Sequence, residues 1–509
     1  MMGFRDELYI DVKPEEFRSK CLELHKKLSS PVMMYFAVDE RKEKGSFAVY
    51  CAFLDAADKR WAFVRMYLPQ DGPAFESVSK DIFSASLFER EIREMFGIEP
   101  RGNPDLRRLN LHEEVWPEGF YPLRKDFTPP ERARKAEGSY KFRKVEGEGI
   151  FEVPVGPVHA GIIGPGHFRF SAAGEPIINL EARLGFTHRG VEKIFEGMPS
   201  AGSAEAVCFS ERVSGDSAFA YSTAYCSAVE KIYGIRVPER AQYIRAIFLE
   251  LERMYNHAND IGGMALDVGF SFPNAFASVV KEKILALNEK MSGSRYLKGV
   301  NTVGGVNRDL SGSERMALAD SLAGISKDLE ELKAMLKSSI SFMDRVDKTG
   351  ILKKKTAADL GIVGLAARAS GIPMDLRNTF PGVYAAANFN LIKEEEGDVL
   401  ARLNLRLREA SESARLIKEF VRIMNQGDTS PAKKIEPAAG CGIGHAEGWR
   451  GPVLFWIKTG ASGRIERCKI VDPSFHNWQG LCFAVLGNII PDFPLCNKSF
   501  DLSYPGNDL

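Results

Sequence analysis

The strongest constraint on this chain is a change of hydrophobic period along its length. Between residues 31 and 68 the apolar residues fall into three short runs, V-M-M-Y-F-A-V, S-F-A-V-Y-C-A-F-L and W-A-F-V-R-M-Y-L, separated by charged turns. Such runs predict antiparallel strands. Residues 11–28 and 84–96 flank them with helical spacing: Phe17, Cys21, Leu22, Leu24 and Leu28, then Leu87, Ile92, Met95 and Phe96. Beyond Pro238, placed at a first turn, the helical period runs much longer, through Ile244, Ile247, Phe248, Leu251, Met254, Tyr255 and Ala258. Residues 276–291, 313–346 and 398–424 predict further helices. The last seventy residues return to short apolar runs, including 451–458. Between the two regimes, residues 128–148 are dense in Pro, Lys, Arg, Glu and Gly. The division is a small α+β unit (residues 1–128), a linker (129–148) and a mainly helical unit (149–509) that opens with strand-like stretches at 157–170 and 175–182. The fold class is α+β.

Composition removes several function classes. Sixty-eight Lys+Arg balance sixty-eight Asp+Glu, so the basic excess of a general nucleic-acid binder is missing. The cluster Arg101, Arg107, Arg108, Arg124, Lys125, Arg132, Arg134 and Lys135 reads instead as a solvated or subunit-facing surface. The first twenty residues are interrupted by charges and do not form a signal peptide. The longest apolar stretch, 480–495, carries Asn488, Asp492 and two prolines; it is too short to span a bilayer and reads as a buried hairpin or core segment. The chain is expected to be soluble by itself and to reach a membrane only through partners. Eight cysteines are present, no two closer than fourteen residues, which removes every C-x-x-C metal or redox motif. Cys208, Cys226 and Cys482 read as small buried hydrophobes. Cys441 and His445 in C-G-I-G-H are two ligands where a zinc site needs more. Dinucleotide, phosphate-loop and G-x-S-x-G motifs do not occur.

Residues 89–127 contain E-R-E-I-R-E-M-F-G-I, then G-N-P-D-L-R-R-L, then W-P-E-G-F-Y-P-L-R-K-D-F. This order resembles the C subunit of respiratory complex I and its counterpart in energy-converting hydrogenases. G-P-V-H (156–159), G-H-F-R-F (166–170) and G-F-T-H-R-G-V-E-K (185–193) resemble the D subunit of complex I and the large subunit of [NiFe] hydrogenases. C-like and D-like units joined in one chain resemble the large subunit of the formate hydrogenlyase and hydrogenase-4 branch.

The resemblance implies two cysteine pairs holding nickel and iron, after E-R-V and after D-P. Here those frames read E-R-V-S-G-D-S (211–217) and D-P-S-F-H-N (472–477). The ligand positions are Ser214, Ser217, Ser474 and Asn477, so no metal site is expected, because hydroxyls and an amide do not replace thiolates around soft metals. A family histidine falls on Tyr221. Other positions keep site-like residues. Glu192 matches a family glutamate implicated in proton transfer, with a salt-bridged helix residue as the plain alternative. Arg450 matches the family arginine facing the metal cavity and needs a partner such as Glu447 or Asp472. His159, in G-P-V-H, is a candidate quinone contact. Asp216 and His476 add protonatable groups beside the serines, so a polar pocket is expected from Ser214, Asp216, Ser217, Ser474, His476 and Asn477.

The resemblance further implies a membrane-associated, ion-translocating oxidoreductase complex at the cytoplasmic face, associated with NAD in its complex I branch. Its implied partners are an iron–sulfur small subunit, similar to the B subunit of complex I and carrying one [4Fe–4S] cluster, a ferredoxin-like subunit, and antiporter-like membrane subunits. Quinone is a candidate substrate. The alternatives are a scaffold and coupling subunit without redox chemistry, or a quinone reductase with an atypical headgroup site. Without metal to trigger trimming, the tail N-K-S-F-D-L-S-Y-P-G-N-D-L is expected to stay attached.

Overall fold

The computed structural model describes residues 6–129, 138–159, 163–431 and 436–509. The first unit is a four-stranded sheet of β1 (Glu7–Asp11), β2 (Met34–Glu40), β3 (Ser46–Asp55) and β4 (Arg60–Pro69), in the order β1-β4-β3-β2. The pairs β2–β3 and β3–β4 are antiparallel, as the three apolar runs predict. β1 joins β4 in parallel, Glu7 opposite Trp61, and is not legible in the polar E-L-Y-I-D. Helix α1 (Pro14–Leu28) presents Phe17, Cys21 and Leu24 to the core.

Helix α2 (Ser86–Phe96) carries the E-R-E-I-R-E motif, and its charged side is buried too. Glu94 accepts from the backbone N–H groups of Leu109 (2.9 Å) and Asn110 (3.1 Å), and Arg90 donates to the Arg107 (2.6 Å) and Arg108 (3.1 Å) carbonyls. The motif is thus an internal clamp that satisfies the backbone of the following loop. Arg107 and Lys125, read as surface cations, pair with Asp105 and Glu196. Arg132, Arg134 and Lys135, like residues 130–137 of the linker, lie outside the described residues. The described part of the linker is strapped down where the Tyr140 hydroxyl and the Arg143 N–H both donate to Glu181 at 2.8 Å.

The second unit opens with an antiparallel sheet of β5 (Ile150–Val155), β6 (His167–Ala173) and β7 (Ile177–Arg183). Helices α3 (Val191–Glu196), α4 (Ala218–Ile232), α5 (Glu239–Asp267), α6 (Ser271–Ser292), α7 (Gly312–Ser338) and α8 (Val399–Ile423) follow. The single helix expected over 313–346 breaks at Ser339, whose hydroxyl caps the next turn by accepting from the Phe342 N–H. Another antiparallel sheet comprises β8 (Gly440–Glu447), β9 (Pro452–Thr459) and β10 (Ile465–Val471). Helices α9 (Pro473–Ala484), α10 (Phe493–Phe500) and α11 (Tyr504–Asp508) close the chain. The 480–495 segment is therefore the end of α9, a turn and the start of α10.

Packing is continuous across residue 128. Trp456 of β9 lies against Phe36 and Tyr50 with centroids 4.8 and 5.1 Å away, and Phe475 of α9 meets Phe88 of α2 at 4.7 Å. Among the described residues no helix is long and apolar enough to cross a membrane.

Candidate functional site

Three segments converge. In the first, Ser214 precedes a single 3-10 turn (Gly215–Ser217) that runs into α4. Glu252 of α5 fixes that entry, accepting from the Phe219 (2.7 Å) and Ala220 (2.9 Å) N–H groups. In the second, Asp472 caps α9 by accepting from the Ser474 N–H at 2.6 Å, with Pro473 at the first helical position. The D-P frame is thus a helix start. The third is the stretch from Asp501 to α11, capped by Ser503.

Ser503, unremarked in the sequence, lies between the first two. Its hydroxyl is 2.8 Å from that of Ser214, and its N–H donates to Ser474 Oγ at 2.8 Å. The Ser217 hydroxyl accepts from Trp449 Nε1 at 3.0 Å and donates to Asp216 Oδ1 at 3.2 Å. Asn477 stands apart: its amide accepts from the Val363 N–H (3.0 Å) and donates to the Val363 carbonyl (3.1 Å). Three of the four positions that the resemblance assigns to metal ligands share one hydrogen-bonded cluster with Ser503 and Asp216, while the fourth serves a neighbouring backbone. Oxygen and amide groups engaged in this way do not fit a nickel–iron centre, which needs thiolate donors.

Arg450 projects into the cluster from the turn after β8. Its Nη2 donates to Asp216 Oδ2 at 2.7 Å and to Asp501 Oδ2 at 3.2 Å, Nε donates to the Asp501 carbonyl, and the guanidinium stacks 3.8 Å over Trp449. The partners are therefore Asp216 and Asp501, where the sequence suggested Glu447 or Asp472. Burial alone would raise the Asp216 carboxyl, but Arg450 holds it below the usual range. The buried Asp472 accepts instead from the Tyr221 hydroxyl. A cavity of about 370 Å³ opens beside Asp216 and Asp501, lined also by Tyr255, Asn256, Lys281 and Lys298.

The other expected residues lie elsewhere. His476 is two residues past Ser474, about 200° around the helix, and faces the first unit, its ring edge-on to Phe88 at 5.5 Å. Burial pushes its pKa down to about 4. Glu192 is paired with Arg467 (2.7 Å) and Lys469 (3.1 Å), joining α3 to β10, and accepts from the Ile470 N–H. Burial opposes its charge, and the two cations hold it below the usual range. These ion pairs are the contacts that the salt-bridged alternative describes. His159 follows β5 beside Gly156, and Gly164 and Gly166, ahead of β6, pack on Tyr504. Cys226 and Cys482 are buried as expected; Cys208 is exposed.

Sequence reading missed a buried ionic stripe. On α5, Glu250, Arg253, His257 and Asp260 recur at three and four residues and are fully buried, facing Arg406 and Glu409 of α8. Starting at Asp501, the links run to Lys498 (2.7 Å), Asp260 (3.5 Å), Arg406 (2.9 Å), His257 (3.3 Å) and Glu409 (3.0 Å). They continue to Arg368 (2.8 Å) and Glu447 (2.9 Å). Arg253 pairs with Glu250 at 3.1 Å and donates to the Glu447 and Gly448 carbonyls, holding the turn that presents Arg450. The signal was available in L-E-L-E-R-M-Y-N-H-A-N-D, whose charged face repeats at helical spacing opposite an apolar one.

Comparison with known proteins agrees with this architecture. The family described as respiratory-chain NADH dehydrogenase, 30 Kd subunit, matches residues 10–133, and the 49 Kd subunit family matches residues 267–439. Formate hydrogenlyase subunit 5 of Escherichia coli is 33% identical, covering 99% of this chain and 89% of the relative. Hydrogenase-4 component G of Escherichia coli is 34% identical, over 93% and 83%. The C/D subunit of NADH-quinone oxidoreductase from Bacteroides thetaiotaomicron is 30% identical, over 82% of each. The chain thus belongs to the family in which 30 kDa-like and 49 kDa-like complex I subunits are fused, shared with formate hydrogenlyase subunit 5 and hydrogenase-4 component G.

Proposed function

We propose that this chain is the large subunit of a membrane-associated, ion-translocating oxidoreductase complex that works without a nickel–iron centre. The observation that carries the reading is the replacement of four thiolate positions by Ser214, Ser217, Ser474 and Asn477, with Ser503 bonded between two of the serines. What remains is a polar pocket in which Asp216 and Arg450 hold opposite charges beside an open cavity. Arg450 can orient an anionic or carbonyl-bearing acceptor, and Asp216 can take or give a proton at its carboxylate. The family supplies the remaining parts: a small subunit that holds a [4Fe–4S] cluster near this pocket, a ferredoxin-like subunit, and antiporter-like membrane subunits that keep the chain at the cytoplasmic face. Quinone is the acceptor class to test first, with His159 as a candidate contact.

The test is isolation of the intact complex through a tag on this chain, with metal analysis and assays of hydrogen evolution and quinone-analogue inhibition. Iron without nickel, and no hydrogen evolution, is the expected result; stoichiometric nickel overturns the reading.

A second reading, a coupling subunit with no redox site of its own, draws on Ser503 filling the space between Ser214 and Ser474. Asp216→Asn and Arg450→Gln separate the two. Both abolish coupled electron transfer under the first reading and leave it intact in the folded complex under the second.

A further inference from the structure

A second cavity, of about 460 Å³, opens far from Asp216. It touches Gln242, Arg245 and Leu249 near the start of α5, whereas the cavity beside Asp216 touches Tyr255, Asn256 and Asn259. The ionic stripe from Glu250 to Asp260 runs between them. Ten residues of helix put its ends about 15 Å apart. The second cavity is lined by Arg377, Tyr384, His445 and Glu447. Arg377 and the Tyr384 hydroxyl both bond Glu250 (3.1 and 2.8 Å), and Glu447 pairs with Arg368. Both cavities therefore end on members of one continuous network.

We propose that the second cavity is a proton-exchange site centred on Glu447, coupled electrostatically through the stripe to the charge held at the Asp216–Arg450 pocket. Arginine keeps its proton, so the stripe cannot hand protons along; it transmits potential through a desolvated row of acidic and basic side chains, with the neutral His257 among them. Negative charge arriving at the pocket raises the proton affinity of Glu447, which takes one proton from water in its own cavity. When the charge leaves, the proton returns to that water. No electron moves in this step. Arg368 approaches from the short helix Gly364–Ala369 and also pairs with Glu409; Asp375 and Arg377 come from the following segment, where the Leu376 N–H donates to Glu447 and Arg377 also pairs with Glu250; Arg253 holds its carbonyl, His445 shares its strand, and the Glu230–Arg245 pair lines the same cavity. Burial and Asp375 push the Glu447 carboxyl up to about 7 despite Arg368 and Arg377, which places its titration where small changes in potential alter occupancy. The proposal rests on the redox reading above only for the origin of the charge; its test does not.

The test is infrared titration of protonated carboxyl absorption in the purified chain between pH 5 and 9. Glu447→Gln is expected to remove one titrating band with its midpoint near 7. Asp501→Asn removes a negative charge at the pocket end, and the left-handed backbone there (φ 48°) tolerates asparagine. It should lower the midpoint by somewhat under one pH unit, on the order expected for a charge about 15 Å away at an effective dielectric near 20. Lys498→Gln removes a positive charge and should raise it; if that variant does not fold, Arg450→Gln takes its place. Shifts of opposite sign support the proposal. Absence of a band lost in Glu447→Gln, or any other pattern of shifts, overturns it.

Discussion

Asp216 and Arg450 meet at 2.7 Å across 234 residues of sequence, and their contact ties the entry of α4 to the turn after β8. The Asp216 side chain remains 39% exposed while that of Arg450 is only 6% exposed, so the pair is asymmetric. Removing the carboxylate leaves a buried guanidinium with Asp501 alone. Asp216→Asn should cost only about 1 kcal/mol, because solvent screens the exposed partner and Asp501 keeps its contact. Arg450→Gln should cost more, about 2 kcal/mol, since it takes the guanidinium from two carboxylates at once, leaving Asp501 with Lys498 and Asp216 with the serine hydroxyls. Urea unfolding of the two variants at pH 7.5 checks the order. The Asp216 carboxyl has a lowered pKa, so its contribution is present above the unfolded carboxylate pKa and is lost as pH falls through the folded value. The difference between wild type and Asp216→Asn should accordingly shrink in acid.

Glu192 should behave as a structural residue. Its two oxygens serve Arg467, Lys469 and the Ile470 N–H, so Glu192→Gln leaves two buried cations short of charge. A loss of about 3 kcal/mol or more is expected. Where the variant assembles, electron transfer per folded complex should persist. A fully folded variant with abolished turnover would restore the proton-transfer role suggested by the family.

The three buried histidines should each make the fold less stable in acid, well before carboxylates of ordinary pKa titrate. Burial lowers the pKa of His257 and His476 to about 4 and that of His445 to about 3, against about 6.5 in an unfolded chain. Below 6.5 the unfolded chain binds protons that the folded chain does not, so stability is fully present above that pH and falls on acidification. Each histidine is expected to cost about 2 kcal/mol at pH 5 relative to pH 7.5. His476→Leu should flatten the dependence by one such increment. Unfolding midpoints across this range provide the measurement, and an unchanged slope in His476→Leu would contradict it.

Gly364 has a φ of +62°, and a Cβ there would overlap the Arg450 carbonyl oxygen. Gly364→Ala must therefore push away the turn that aims Arg450 at Asp216. It should cost more than the roughly 1–2 kcal/mol of left-handed strain alone. The variant should also lose activity in proportion to the displacement, which a crystal structure would show directly.

The sequence exposes those parts of this architecture that depend on one-dimensional period. The antiparallel strands β2 to β4 and the long helices α5, α6 and α8 follow from apolar spacing, and the frames E-R-V and D-P mark where α4 and α9 begin. Parallel strand β1 is invisible in the sequence because five mixed residues carry no period, and its pairing partner lies over fifty residues away. Ser503, Asp501 and Lys498 are invisible because their roles come from α10 and α11 folding back between the two frames. His476 is misplaced by its closeness to Ser474 in sequence, since a helix turns residues i and i+2 to opposite sides. The stripe on α5 escapes notice because charged residues at helical spacing ordinarily mean solvent, and here both faces are buried.

The last prediction concerns why the fourth ligand position holds asparagine. Asn477 lies on α9 with both its amide groups bonded to Val363, immediately before the Gly364 that shapes the Arg450 turn. A thiol is only a weak donor and a weak acceptor, and its single sulfur does not reach where the two amide atoms of Asn477 do. Asn477→Cys should thus cost about 2–4 kcal/mol by leaving both backbone groups unpaired, while Ser474→Cys, which loses one bond from the Ser503 N–H, should cost about half as much. The damage from Asn477→Cys should spread to Gly364 and Arg450 as faster amide exchange at Val363 and Leu365, whose N–H donates to the Arg450 carbonyl at 3.1 Å. Equal stability of the two variants, or exchange confined to α9, would separate Asn477 from the Arg450 turn and leave its amide without the structural role assigned to it.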